Sequence, residues 1–180
     1  RAHHIIDHFH EKYYMPNQFG NPANWLAHYE TTAPEIVRDT KAEADAFVAG
    51  MGTTGTLMGC SRYFRDHNPR TKVVGVEPSL NHRIQGLKNM QESIVPAIFD
   101  PALLDYRYVC SDDDAFDTTR NLALMEGLFC GMSSGAALWG AMTIARDLPR
   151  GSTVVVLFPD RGDRYLSTEV FRSVCAICPP

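Results

Sequence analysis

Gly50-Met51-Gly52-Thr53-Thr54-Gly55-Thr56 stands between an apolar run and a helical pattern, and its reading decides the fold. Before it, Ala46-Phe47-Val48-Ala49 reads as a buried strand; after it, Leu57, Cys60 and Phe64 recur at helical spacing. A strand, a glycine-rich turn and a helix in that order place backbone N–H groups and threonine hydroxyls where an anion binds a helix N-terminus. The glycines are expected to supply positive φ and close backbone approach. A Walker loop needs Gly-Lys-Ser/Thr, whereas Thr56 and Leu57 follow Gly55, so the turn suits a phosphate monoester better than a nucleoside triphosphate with its metal. Taken alone, the turn is equally well explained as ordinary strand-to-helix turn chemistry.

Working outward, Lys72-Val73-Val74-Gly75-Val76-Glu77 is a second strand, nearly continuous in apolar residues as in a parallel sheet covered on both faces, and Pro78 ends it. Ser79 to Pro101 shows no dominant period and reads as a long loop with one helical turn, a length that in compact domains is often functional. Tyr106-Arg107-Tyr108-Val109 is a short third strand, and Ser111-Asp112-Asp113-Asp114 opens a helix as an acidic capping box. Gly131-Met132-Ser133-Ser134-Gly135 is a second small-residue turn, with Ser133 a natural N-cap for a helix running from Ala136 to Leu148. Thr153 to Phe158 is the clearest strand, and it runs into Pro159-Asp160-Arg161-Gly162-Asp163-Arg164, which by itself could be a solvated charged turn. The alternation predicts an α/β protein with a parallel doubly wound, three-layer sheet, binding its ligand at the C-terminal strand edges.

Upstream, Ile5, Ile6, Phe9 and Tyr13 suit an amphipathic helix over Arg1 to Tyr14. His4 and His8 have metal-compatible spacing, but with no carboxylate or thiol ligand nearby they read as a solvated face. Met15 to Pro22 is a turn-rich loop, and Asn24 is expected to cap a helix containing Trp25, Leu26, Tyr29 and Ile36 that Pro34 restarts or kinks. The expected organisation is therefore 1–44 as a helical and loop part of a cleft and 45–180 as an α/β ligand-binding domain.

The bulk numbers fit one domain: 180 residues, 44% hydrophobic, net charge −4. No apolar run is long enough to span a membrane, Arg1-Ala2-His3-His4 lacks a signal-peptide core, and there is no basic stripe for nucleic acid; a cytoplasmic protein is expected. Of five cysteines, Cys60, Cys110 and Cys130 sit in apolar neighbourhoods and read as buried thiols. Cys175 and Cys178 have redox or metal spacing but no second pair to complete a zinc site, so no metal is expected.

Several stretches together resemble one family. Asn17-Gln18-Phe19-Gly20-Asn21-Pro22-Ala23-Asn24, Ala27 to Ile36, Gly52-Thr53-Thr54-Gly55-Thr56, Ile84-Gln85-Gly86, Gly131 to Ala136 and Asp160 to Thr168 look like the cysteine synthase (O-acetylserine sulfhydrylase) family, its B-type branch in particular. These are fold-type II pyridoxal phosphate enzymes. The resemblance implies that Gly52, Thr53, Thr54, Gly55 and Thr56 hold the phosphate of pyridoxal 5'-phosphate, and that Ser133 meets the pyridine nitrogen. A neutral hydroxyl there would leave that nitrogen unprotonated. Gln18 matches the family's glutamine near the substrate carboxylate, and Gly86 the loop at the substrate entrance.

The implied activity is β-replacement making L-cysteine from an activated serine and sulfide, in a homodimer. The alternatives are cystathionine β-synthase chemistry with homocysteine, or a non-catalytic cofactor-binding fragment. The family's Schiff-base lysine lies in an N-terminal Ser-x-Lys-Asp setting, and Lys12, Lys41, Lys72 and Lys88 are in no such context. The family's Ser/Thr-Gly-Asn substrate loop is not matched either. The chain is therefore expected to be the C-terminal portion of a larger enzyme, its N-terminal portion supplying the lysine.

Overall fold

The computed structural model describes residues 1–171. In chain order its main elements are α1 (Ala2–Phe9), α2 (Ala23–Ala27), α3 (Ala33–Asp39), β1 (Ala44–Gly50), α4 (Gly55–His67), β2 (Lys72–Pro78), β3 (Tyr106–Cys110), α5 (Asp112–Glu126), α6 (Met132–Ala145) and β4 (Thr153–Val156). The strands form a four-stranded sheet in the order β3-β2-β1-β4. All pairings are parallel, with Val48 beside Val74 on one side and Val156 on the other, and Val76 beside Tyr108. Among the described residues no helix is long and apolar enough to cross a membrane.

The apolar strands are buried on both faces, as a parallel sheet requires. Alternation along β1 sends Phe47 and Ala49 into a core with Leu57, Met58 and Phe64 of α4 and Ala33 of α3. Ala46 and Val48 point the other way, into a core with Phe116 of α5 and Met132, Ala136 and Ile144 of α6. Helices on both faces make the sheet three-layered and doubly wound, as the sequence predicts. Each fully buried Phe, Met or Val contributes about 1.5–3 kcal/mol by leaving water, so the two cores hold the sheet that presents the strand ends.

Several local expectations change. The first helix covers only Ala2–Phe9 and buries none of its residues, and Tyr13 and Tyr14 lie beyond it, exposed. Asn24 lies within α2 and is not its cap; Asn21 Oδ1 accepts the Ala23 N–H at 3.0 Å instead. Pro34 perturbs the helix without ending it: the backbone stays helical from α2 through a π turn over His28–Thr32 into α3, which carries the proline in its first turn. The loop after β2 forms no helical turn until the 3-10 segment Pro101–Leu103. The last strand stops at Val156, half-buried because it has one neighbour, β1. Ser111 caps α5 as expected, accepting the Asp114 N–H at 3.1 Å. Cys60 and Cys110 are buried, and desolvation pushes each thiol up to about 12; Cys130 is only half-buried, bridging to Arg161. The Cys175 and Cys178 pair lies outside the described residues.

Candidate functional site

The chain leaves β1 by way of α4 on one face of the sheet and reaches β4 by way of α5 and α6 on the other. Adjacent strands whose connections diverge leave a crevice beyond their C-terminal ends. A cavity of about 320 Å³ occupies that place, walled by Gly50, the turn Gly52–Thr56, Gly86, Ser133 and Asp160.

The turn after β1 is strained in an unexpected way. Its positive φ falls on Thr54 (φ 67°, ψ 2°), the N-cap of α4, and on no glycine of the turn. A left-handed L-residue costs about 1–2 kcal/mol, and such strain persists where the surroundings over-determine it. The glycines are required by closeness instead. A Cβ at Gly55 would lie 1.9 Å from Asn24 Oδ1, and one at Gly52 2.8 Å from the Gly86 carbonyl oxygen.

Two of the three hydroxyls are oriented by partners. Thr53 Oγ1 accepts from Asn24 Nδ2 at 3.2 Å, and Thr56 Oγ1 meets His28 Nε2 at 3.2 Å, whose other ring nitrogen lies 2.9 Å from Thr32 Oγ1. Burial lowers His28 below its ordinary value, favouring the neutral imidazole. Thr54 Oγ1 is buried on the cavity wall with no partner. An orphaned hydroxyl, a backbone turned left-handed and the start of a 13-residue helix together fit a phosphate group.

The opposite wall comes from α6. Its N-cap is Gly131, so Ser133 is the second helical residue and does not cap; it is 4% exposed and lines the cavity. Gly86 faces it with φ +91°, a conformation that calls for glycine, and a Cβ there would stand 3.8 Å from Ser133 Oγ. The long loop is thus a wall, held by Lys88 N–H donating to the Met51 carbonyl at 2.8 Å and Gln85 N–H to Met132 Sδ at 3.1 Å.

The charged segment after β4 divides. Arg161 points to solvent and pairs with Asp163. Asp160 turns inward, taking the Tyr165 hydroxyl proton on Oδ2 as a hydrogen bond; burial and then that contact push the Tyr165 hydroxyl up to about 12.

Of the residues singled out from sequence, Gly52 to Thr56, Gly86 and Ser133 meet on the one cavity. Gln18 does not: it is exposed in a neighbouring groove with Phe19 and Ile94. Its carbonyl oxygen accepts from Asn24 Nδ2 at 2.6 Å, which ties its loop to Thr53. Asn24, expected only as a helix cap, and His28, which was not singled out, are the residues that orient the threonines. Their signal was their spacing of four, which puts both on one helical face. None of the four lysines lines the cavity; Lys88, the nearest in sequence to its wall, lays Nζ 5.4 Å from the Phe19 ring centre.

Residues 2–160 match the pyridoxal-phosphate dependent enzyme family. The chain belongs to that family. It is 42% identical over 171 residues to cysteine synthase of Aquifex aeolicus, covering 93% of this chain and 52% of the relative. It is 46% identical over 155 residues to cysteine synthase B of Salmonella typhimurium, covering 86% and 51%. Among solved structures, O-acetylserine dependent cystathionine beta-synthase from Helicobacter pylori superposes with a TM-score of 0.82 at 40% identity, over 88% of this chain and 54% of that one. The chain thus spans about half the length of the curated relatives it matches. Pyridoxal phosphate carries a phosphate monoester, the kind of group that the orphaned Thr54 hydroxyl and the start of α4 fit.

Proposed function

We propose that the protein is a pyridoxal phosphate-dependent β-replacement enzyme making L-cysteine from an activated serine, O-acetylserine or similar, and sulfide. The observation that carries this is the convergence of the strained turn at Thr54 with Ser133 on one cavity at the divergence of β1 and β4. The cysteine synthase relatives support the choice of reaction. When bound, pyridoxal phosphate supplies an electron-withdrawing ring that eases loss of a proton and of a leaving group from the substrate.

In this reading Gly52, Thr53, Thr54, Gly55 and Thr56 grip the phosphate with N–H groups and hydroxyls, and Ser133 faces the pyridine nitrogen. Asn24 and His28 hold Thr53 and Thr56 in place, and the wall from Gly86 to Lys88 excludes water from one side. Gly86 borders the substrate entrance, while Gln18 lines the neighbouring groove. Residues 1–44 form a wall of the cleft beside the cofactor-binding domain 45–180, and the Schiff-base lysine comes from an N-terminal portion of the protein. The protein works as a cytoplasmic homodimer. Supplying the full-length protein with O-acetylserine and sulfide, and measuring cysteine, tests the proposal; absence of cysteine would remove it. Substituting homocysteine for sulfide asks whether the reaction is that in the name of the Helicobacter pylori structure.

A second reading has its own observation, the exclusion of every lysine from the cavity wall. It makes the chain a non-catalytic module that binds pyridoxal phosphate without covalent attachment. Borohydride treatment followed by peptide mapping separates the two, since only the enzyme yields a lysine adduct.

A further inference from the structure

Glu77 is a carboxylate on an inner strand of the sheet, 3% exposed, and the functional reading gives it no task. It follows Val73 at even spacing along β2, so it lies on the α4 side, where Val73 packs with Met51, Leu57 and Met90. A charge buried there needs a partner, and hydrogen bonds to its remaining lone pairs. Arg107 of β3 supplies the partner as a two-pronged clasp, with Nε 2.6 Å from Oε1 and Nη2 2.6 Å from Oε2. Oε2 also accepts a third hydrogen bond, from the Met90 N–H at 3.1 Å.

That third bond reaches the cavity wall. Over 86–90 the chain is laid residue by residue onto the ends of β1 and β2. The Gly86 carbonyl oxygen would lie 2.8 Å from a Cβ at Gly52, and Leu87 Cδ2 2.5 Å from one at Gly50. Lys88 N–H donates to the Met51 carbonyl at 2.8 Å, and Asn89 Nδ2 to the Pro78 carbonyl at 2.8 Å. These holds are made to main chain or by packing. The hold at Met90 is made to a side chain that a second side chain orients. The gap between Gly86 and Ser133, where a Cβ on Gly86 would stand 3.8 Å from Ser133 Oγ, is thus set in part from β3, an edge strand with no residue on the cavity wall.

We propose that Glu77 is a positioning residue: oriented by Arg107, its carboxylate holds the 86–90 wall against the ends of β1 and β2 and so sets the width of the mouth between Gly86 and Ser133 through which substrate enters. This rests on the reading of Gly86 as the border of the substrate entrance. What the wall needs from position 77 is an acceptor oxygen aimed at the Met90 N–H. Glutamine keeps that oxygen, and leucine keeps only the bulk.

The test uses the full-length protein and two readouts. Hydrogen exchange followed by mass spectrometry is expected to be about tenfold faster over 84–92 in Glu77→Leu than in wild type, unchanged over β1 and α4, and close to wild type in Glu77→Gln. With O-acetylserine and sulfide, Glu77→Leu is expected to raise KM for O-acetylserine about fivefold while kcat and pyridoxal phosphate retention stay within about twofold, and Glu77→Gln is expected to keep the wild-type KM. Unchanged exchange in Glu77→Leu overturns the proposal. So does a Glu77→Leu protein that loses kcat and cofactor in step with KM, the mark of a merely structural pair, or a Glu77→Gln protein as impaired as Glu77→Leu. Should Glu77→Leu not fold, Arg107→Met carries the same test, with smaller shifts expected in the same directions and no shift overturning the proposal. A wild-type protein that makes no cysteine overturns the underlying functional reading instead, while exchange over 84–92 still decides whether Glu77 holds the wall.

Discussion

Gly52 to Thr56 leads into α4 and Gly131 to Gly135 into α6, each a turn of small residues at a helix N-terminus on the same cavity. The first is bent against its own preferences. Thr54 is left-handed, Gly55 is pressed on Asn24, and Thr53 and Thr56 are steered by side chains from α2 and the π turn that follows it. The second is relaxed: Gly131 caps α6 in an extended conformation, and Gly135 is small because α5 packs against it, a Cβ there falling 2.0 Å from Thr119 Oγ1. The difference teaches that what sets one glycine-rich helix start apart from another is what its neighbours do to it. Composition alone serves packing equally well.

The sharpest way to break this comparison is at Gly55. Gly55→Asp places a side chain and a negative charge where even a Cβ meets Asn24, and pyridoxal phosphate affinity is expected to fall at least about a hundredfold, about 3 kcal/mol. Fluorescence titration reads it, and an unchanged affinity would show that the turn holds no phosphate. In the second turn, Gly135→Ala overpacks the α5–α6 contact and is expected to cost about 1–3 kcal/mol of stability in denaturant melts, with cofactor affinity kept. A loss of affinity without a loss of stability would erase the distinction between the turns.

Thr54→Gly sharpens the argument about strain. It relieves about 1 kcal/mol of left-handed backbone cost and removes the orphaned hydroxyl, so the melting temperature is expected to rise. Cofactor affinity is expected to drop about fivefold to tenfold with the lost hydrogen bond. A variant that binds as well as wild type would make the strain incidental.

The smallest effect is one of pH. His28 has a folded value below its ordinary 6.5 because burial disfavours its charged form. Its contribution to stability is therefore complete above the ordinary histidine range and is lost as pH falls through the lowered value. Thermal melts of wild type against His28→Gln are expected to differ near neutrality and converge in acid, a gap of about 1 kcal/mol or less. No such element lies at the second turn, where Ser133 does not titrate in this range.

Much of this was legible in the residues. The apolar runs from Ala46 and Val73 and the turns between them set the parallel, doubly wound order, because strands buried on both faces leave a continuous hydrophobic signature. Gly52 to Thr56 and Ser133, which the structure brings to one cavity, were legible too as small residues at the start of helical patterns. Asn24 and His28 were not, since their meaning depends on α2 lying beside α4, a contact between residues 28 and 29 positions apart. Gln18 stands apart from that cavity for the converse reason: its backbone carbonyl is tied to Asn24 and the residue lines a neighbouring groove.

By itself, then, the sequence determined which segments are strands and which turns can approach an anion, because apolar period and residue size are local properties. The tertiary structure decided which residue of the turn takes the strained conformation, which hydroxyls are steered and which is left free. It also turned Asp160 inward and Arg161 outward from adjacent positions, because burial and partner geometry exist only once β4 and α6 have packed together.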